Sequence, residues 1–148
     1  MLYQLVPVVP EDEGWLEQLR RAVYQELFFA TWGHWDEDRH VRHCAECWQR
    51  GGIFCIEVDG ERVGMIQLFE NQDSIEVSEI QIEPTHQNQK IGNRVLRDTI
   101  ARAHEQRKKV LLSVALKNDR AYRLYERLGF QKVGQNETHN LMACKPYS

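Results

Sequence analysis

Between residues 74 and 103 the chain changes its hydrophobic period, and that change limits the folds open to it. Ser74 to Ile82 is rich in β-forming residues and Pro84 to Lys90 is polar and irregular. Val95, Leu96, Ile100 and Ala103 then recur at helical spacing from a start near Gly92. A strand therefore runs through a polar loop directly into a helix amino terminus. The first N–H groups of a helix have no intrahelical acceptor and carry the positive end of its dipole, so that end suits an anion such as a phosphate. Gly92 would let the backbone pass close to such a ligand. Taken alone, the segment reads equally as an ordinary strand-to-helix connection, because one glycine is weak support for a phosphate loop.

The flanking sequence supplies the rest of a mixed layout. Residues 2–8 read as a strand, and Trp15, Leu19, Ala22, Val23, Leu27 and Ala30 give a helix over about residues 12–30. Asp36 is a candidate N-cap for a second helix with the apolar stripe Val41, Cys44, Ala45 and Trp48, ended by Gly51 and Gly52. Ile53 to Val58 and Val63 to Glu70 are strands flanking Asp59-Gly60, a hairpin turn signal. Beyond the central helix come a strand over Val110 to Leu116, a short helix from Asp119 to Leu128 closed by Gly129, and two last strands, Phe130 to Gly134 and Asn140 to Cys144. The order βαα-βββ-α-β-α-ββ predicts an α/β chain with a mixed sheet and helices packed on its faces.

Length and composition exclude several classes. A chain of 148 residues fits one domain over residues 1–148, and 42% hydrophobic with 28% charged residues is a globular composition. The apolar runs Leu27 to Ala30 and Val110 to Leu112 fall far short of the roughly 20 residues a membrane helix needs. The amino terminus does not read as a secretory signal, so a cytoplasmic location is expected. The 19 basic and 22 acidic residues are mixed along the chain at a net charge of −3, which leaves no basic field for a nucleic acid. Cys44, Cys47, Cys55 and Cys144 show no disulfide framework and are expected to be reduced.

The stretch LLSVALKNDRAYRLYERLGF gives the first segment its meaning. The loop residues Gln87, Lys90 and Gly92, followed by Asn118, Ala121, Tyr125, Gly129 and Phe130, resemble the acetyl-CoA-binding core of GNAT N-acetyltransferases. In that family the loop reads Q/R-x-x-G-x-G/A and the later segment N-x-x-A-x-x-x-Y-x-x-x-G-F. The second pattern is matched in full. In the first, Lys90 stands where the family usually has its first glycine, and Asn88 where a glycine is common. Lys90 is expected to swing outward and place a cation beside the pyrophosphate.

The resemblance implies a GNAT fold with a splayed central sheet and acetyl-CoA as acetyl donor. The strand at 74–82 would part from that at 110–116, with the pantetheine arm in the gap. The pyrophosphate would lie on backbone N–H groups of Gln87, Asn88, Gln89, Lys90, Ile91, Gly92 and Asn93. Backbone groups of Ile80, Gln81 and Ile82 would pair with the arm and stabilise the tetrahedral oxyanion. Asn118 and Ala121 complete the cofactor set, and Tyr125, near the sulfur, would protonate the leaving thiolate. An ammonium cannot attack a thioester, so a base is required, and the resemblance assigns that role to Glu79 acting through water. Ser113 stands where some relatives place a glutamate base instead.

The acceptor would be an amine, small or peptidic, taken up directly without an acetylated protein intermediate. In this fold it approaches from the side opposite the cofactor, which points to the joint TWGHWDEDRH. Trp32 and Trp35 offer flat apolar faces that attract cations, and Glu37 and Asp38 add charge. The same acids also suit a purely structural role, with Asp36 as cap and the others at the positive end of the helix. His40, His43, Cys44 and Cys47 look at first like a metal set, and the helical spacing of His40, Cys44 and Cys47 could offer three ligands from one face, but Cys44 also falls on the apolar stripe, and no metal is expected. The competing reading is a non-catalytic GNAT-like module that binds acetyl-CoA or another small ligand. Pairing of the last strands across a homodimer is possible.

Overall fold

The computed structural model describes residues 2–87 and 90–146. The chain divides into two compact units, Met1–Gln67 with Glu79–Ile91, and Leu68–Ser78 with Gly92–Ser148. No helix among the described residues is long and apolar enough to cross a membrane.

The first unit holds β1 (Tyr3–Pro7), α1 (Glu13–Trp32), α2 (Glu37–Arg50), β2 (Ile53–Val58), most of β3 (Glu61–Glu70) and the end of β4 (Ser74–Ile82). β1 pairs antiparallel with β2, from Tyr3 opposite Val58 to Pro7 opposite Phe54. β2 and β3 form the hairpin expected at Asp59-Gly60. Both turn residues have positive φ, 54° and 80°, the requirement of a two-residue type I′ turn. That tight turn is why β3 begins at Glu61, two residues before the sequence pattern suggests.

Leu19, Ile53 and Met65 form a buried cluster against which Trp15, Leu16, Val23 and Trp48 pack. Each large apolar side chain so buried stabilises the fold by about 1.5–3 kcal/mol. Asp36 caps α2 as expected, its carboxylate accepting from the N–H of Arg39 at 3.0 Å. The other end of α2 is held by Gln67 of β3. Its buried amide donates to the carbonyls of Cys47 at 2.9 Å and Gly51 at 2.8 Å, satisfying acceptors that a helix end leaves open. Gly64 of β3 lies against the backbone of β4, where a Cβ would overlap the carbonyl of Gln81. The close approach of those strands requires glycine at that position.

In the second unit β4 pairs parallel with β5 (Lys109–Ala115) from Ser74 opposite Lys109 to Val77 opposite Leu112. β4 continues past this ladder to Ile82 and β5 to Ala115. β5 pairs antiparallel with β7 (His139–Cys144), which pairs antiparallel with β6 (Gln131–Gln135). α3 (Ile91–Glu105) buries Val95, Leu96 and Ala103, and α4 (Asp119–Arg127) is followed by Phe130, 2% exposed. The strand order is β1-β2-β3-β4-β5-β7-β6. The expected mixed α/β class and element order are both present, with two short 3-10 turns, Pro10–Asp12 and Pro84–His86, added.

Candidate active site

A helix repeats every 3.6 residues, so His43 and Cys47 project from one face of α2, one turn apart. β4 brings Glu79 to that face. Its Oε1 lies 2.7 Å from Nε2 of His43, and Sγ of Cys47 is 3.3 Å from the same nitrogen. Alternate residues of a strand share a face, and Gln81 uses that to donate its amide to the second carboxylate oxygen of Glu79 at 3.3 Å. The Glu79 side chain is 15% exposed, so a carboxylate is held among donors and largely out of bulk water. Burial, reinforced by the nearby Glu79 charge, pushes the Cys47 thiol up to about 12. The three side chains line a cavity of about 600 Å³, counting its open mouth, together with Glu13, Glu17, Arg20 and Trp48.

His40 does not join this group. It is 1% exposed, its Nδ1 lies 2.9 Å from a guanidinium nitrogen of Arg20, and burial, with Arg20 next in importance, lowers its pKa. The imidazole therefore stays neutral and accepts the guanidinium N–H. The histidines and cysteines of α2 are thus divided, His40 into the interior with Sγ of Cys44 3.9 Å from its ring nitrogens, and His43 with Cys47 toward Glu79.

The loop residues are placed as follows. Lys90 is exposed and left-handed, at φ +62°, and Ile91 is 2% exposed, its side chain part of the core. Gln87 donates its own N–H to the carbonyl of Glu83 at 3.1 Å and its amide to the carbonyl of Ile82 at 3.0 Å. Two backbone groups expected to serve the cofactor are thus already paired within the chain. Gly92 and Asn93 lie in the first turn of α3, while Asn88 and Gln89 lie outside the described residues. In the second unit, Asn118 caps α4 through a 3.3 Å bond from the N–H of Ala121, and Tyr125 meets Phe130 edge to face with centroids 5.9 Å apart.

The joint after α1 is built from aromatic contacts. Phe28 lies 5.2 Å from Trp32 and 5.5 Å from Trp35, centroid to centroid, and Trp35 lies 5.1 Å from His40. Glu37 accepts from Arg21 at 2.8 and 3.2 Å and from the indole N–H of Trp35 at 3.0 Å. Asp38 is exposed in the first turn of α2. Trp32, Trp35, Glu37 and Asp38 are not among the residues lining the cavity beside His43.

A strand, loop and helix with this glycine pattern, followed by the Asn118 to Phe130 segment, can be compared with known families. The model of the Acetyltransferase (GNAT) family matches residues 16–130. The chain belongs to this family. No curated protein matches it. Solved structures that share the fold of this GNAT chain include a PaiA N-acetyltransferase from Thermoplasma acidophilum in complex with coenzyme A, 17% identical, with 98% of this chain and 99% of that one covered at a TM-score of 0.73. An acetyltransferase from Thermus thermophilus is 19% identical over 97% of this chain and 96% of its own, at 0.74. An N-acetyltransferase from Staphylococcus aureus is 15% identical over 95% and 99%, at 0.70.

Within the GNAT chain, the sequence singled out Glu79 but not the partner that holds it. His43 stands 36 residues away, and the sequence marked it only as one of the histidines and cysteines gathered on the second helix, without saying what it faces.

Proposed function

We propose that this GNAT chain transfers an acetyl group from acetyl-CoA directly to an amine, with Glu79 as base and Tyr125 as acid. The observation that carries the reading is the Glu79 carboxylate, paired with His43 at 2.7 Å and lining an open cavity in a chain of this family. Family membership and the coenzyme A complex of the similar T. acidophilum protein support acetyl-CoA as donor. Gln87, Lys90 and Gly92, then Asn118, Ala121 and Tyr125, are the residues assigned to it.

In the reaction the free amine attacks the thioester carbonyl, forming the C–N bond and a tetrahedral oxyanion, whose collapse breaks the C–S bond. Before that attack the ammonium passes one proton through water to Glu79, whose carboxylate His43 holds by a hydrogen bond at 2.7 Å. The departing thiolate takes its proton from the Tyr125 hydroxyl, and the second proton shed by the acylated nitrogen restores that hydroxyl. Acid and base help of this kind is each worth roughly 10²–10⁴-fold in rate.

The test is release of free CoA from acetyl-CoA over a panel of amines. Glu79→Gln should lower turnover by about 10²-fold or more, most strongly near neutral pH where the amine is protonated, and Tyr125→Phe should do the same without weakening acetyl-CoA binding. Wild-type turnover in Glu79→Gln would remove it as base. Acetyl-CoA binding with no CoA release from any amine would identify a binding module.

A further inference from the structure

The acid–base reading uses Glu79 and His43 and leaves Cys47 without a task, although its sulfur is 3.3 Å from the imidazole nitrogen that Glu79 engages. We propose that His43, Cys47 and Glu79 form a zinc-binding site that opens into the cavity. Nε2, Sγ and a carboxylate oxygen all lie within 4.8 Å of one another. Tetrahedral zinc holds nitrogen and oxygen at about 2.0–2.2 Å and sulfur at about 2.3 Å, which sets its ligand atoms roughly 3.3–3.6 Å apart. The pair at 2.7 Å and the pair at 3.3 Å reach those separations by small side-chain rotations.

The donor set decides the metal. Zinc binding displaces the Cys47 thiol proton to solvent, and the resulting thiolate is too soft for magnesium or calcium, while one sulfur with one imidazole and one carboxylate suits a borderline tetrahedral ion. Three protein ligands leave the fourth position facing the cavity, for water or an incoming ligand. The ligands are also held from behind. Gln81 donates to the free carboxylate oxygen of Glu79, and the buried amide of Gln67 donates to the carbonyl of Cys47, fixing the turn that carries the thiol. On the acetyl-transfer reading, bound zinc occupies the base, so zinc inhibits turnover and competes with the amine. That consequence rests on the proposed function; the site itself does not.

Cobalt(II) titration of the purified full chain, without acetyl-CoA or amine, tests the site apart from catalysis. The expected result is one equivalent bound with intense tetrahedral d–d bands and a thiolate-to-cobalt charge-transfer band, all displaced by zinc. Cys47→Ser should abolish the charge-transfer band and weaken zinc binding by more than the roughly 10- to 100-fold that loss of an outer-shell partner costs. Cys44→Ser, one turn away from His40, should keep the band. Should Cys47→Ser fail to fold, X-ray absorption of zinc-loaded wild type decides, with one sulfur at about 2.3 Å expected beside nitrogen and oxygen. A spectrum without sulfur ligation, a band that survives Cys47→Ser, or one lost in Cys44→Ser would overturn the proposal. Absence of acetyl transfer would leave it standing.

Discussion

Lys90 shows how a single backbone angle carries information that the residue name hides. It occupies the position where the resemblance expects a glycine, and its φ of +62° is the left-handed conformation that glycine adopts without cost. For other residues that conformation costs about 1–2 kcal/mol. Lys90 therefore holds a conformation that suits glycine while carrying a charged, exposed side chain. Lys90→Gly should fold with an unchanged or slightly higher melting temperature, whereas Lys90→Val, β-branched at positive φ, should lower it. A clear loss of stability in Lys90→Gly would mean that the lysine side chain holds the loop. Its effect on acetyl-CoA affinity, measured by calorimetry on the same proteins, separates a charge that assists the pyrophosphate from a side chain that crowds it.

At the scale of elements, the tie between α1 and α2 is an ion pair with a hydrogen-bonded indole. The Arg21 guanidinium beside Glu37, with the Trp35 N–H next, lowers the Glu37 carboxyl from an ordinary 4.5 to about 2. A carboxylate whose pKa is lower in the folded state contributes stability that is complete above the ordinary value and is lost as pH falls toward the folded one. The pair is largely exposed, so its contribution is small and salt-screened. Glu37→Gln should melt below wild type at neutral pH and low salt, and the difference should shrink as pH falls from about 4.5 and vanish below about 2. The Michaelis constant for the amine should not move. An increase in that constant with an unchanged melting curve would instead make Glu37 part of the acceptor wall. Of this joint, the Asp36 cap was legible, since an N-cap is decided within three residues. The engagement of Glu37 was not, because Arg21 lies 16 residues earlier on another helix.

For the molecule as a whole, a net charge of −3 with mixed signs leaves recognition to local sites and not to a general field. The proposed donor should therefore act through a specific site and stabilise the folded chain by mass action. That amounts to about 2.7 kcal/mol at one hundred times the dissociation constant. A rise in melting temperature that grows with the logarithm of acetyl-CoA concentration is the expected result. A melting curve unmoved at millimolar acetyl-CoA would remove the cofactor assignment whatever the amine screen shows.

The sequence by itself determined what local chemistry controls. The two-period pattern set the order of strands and helices, Asp59-Gly60 set the hairpin, Asp36 and Asn118 set helix starts, and the Asn118 to Phe130 segment pointed to the family. Only the tertiary structure decided which side chains meet. Periodicity puts His43 and Cys47 on one helical face but cannot say that Glu79 lies opposite. That depends on β4 approaching β3 closely at Gly64 and on Gln67 anchoring the end of α2. Such contacts join residues distant in sequence, and their partners are chosen by register and packing, which no local pattern encodes.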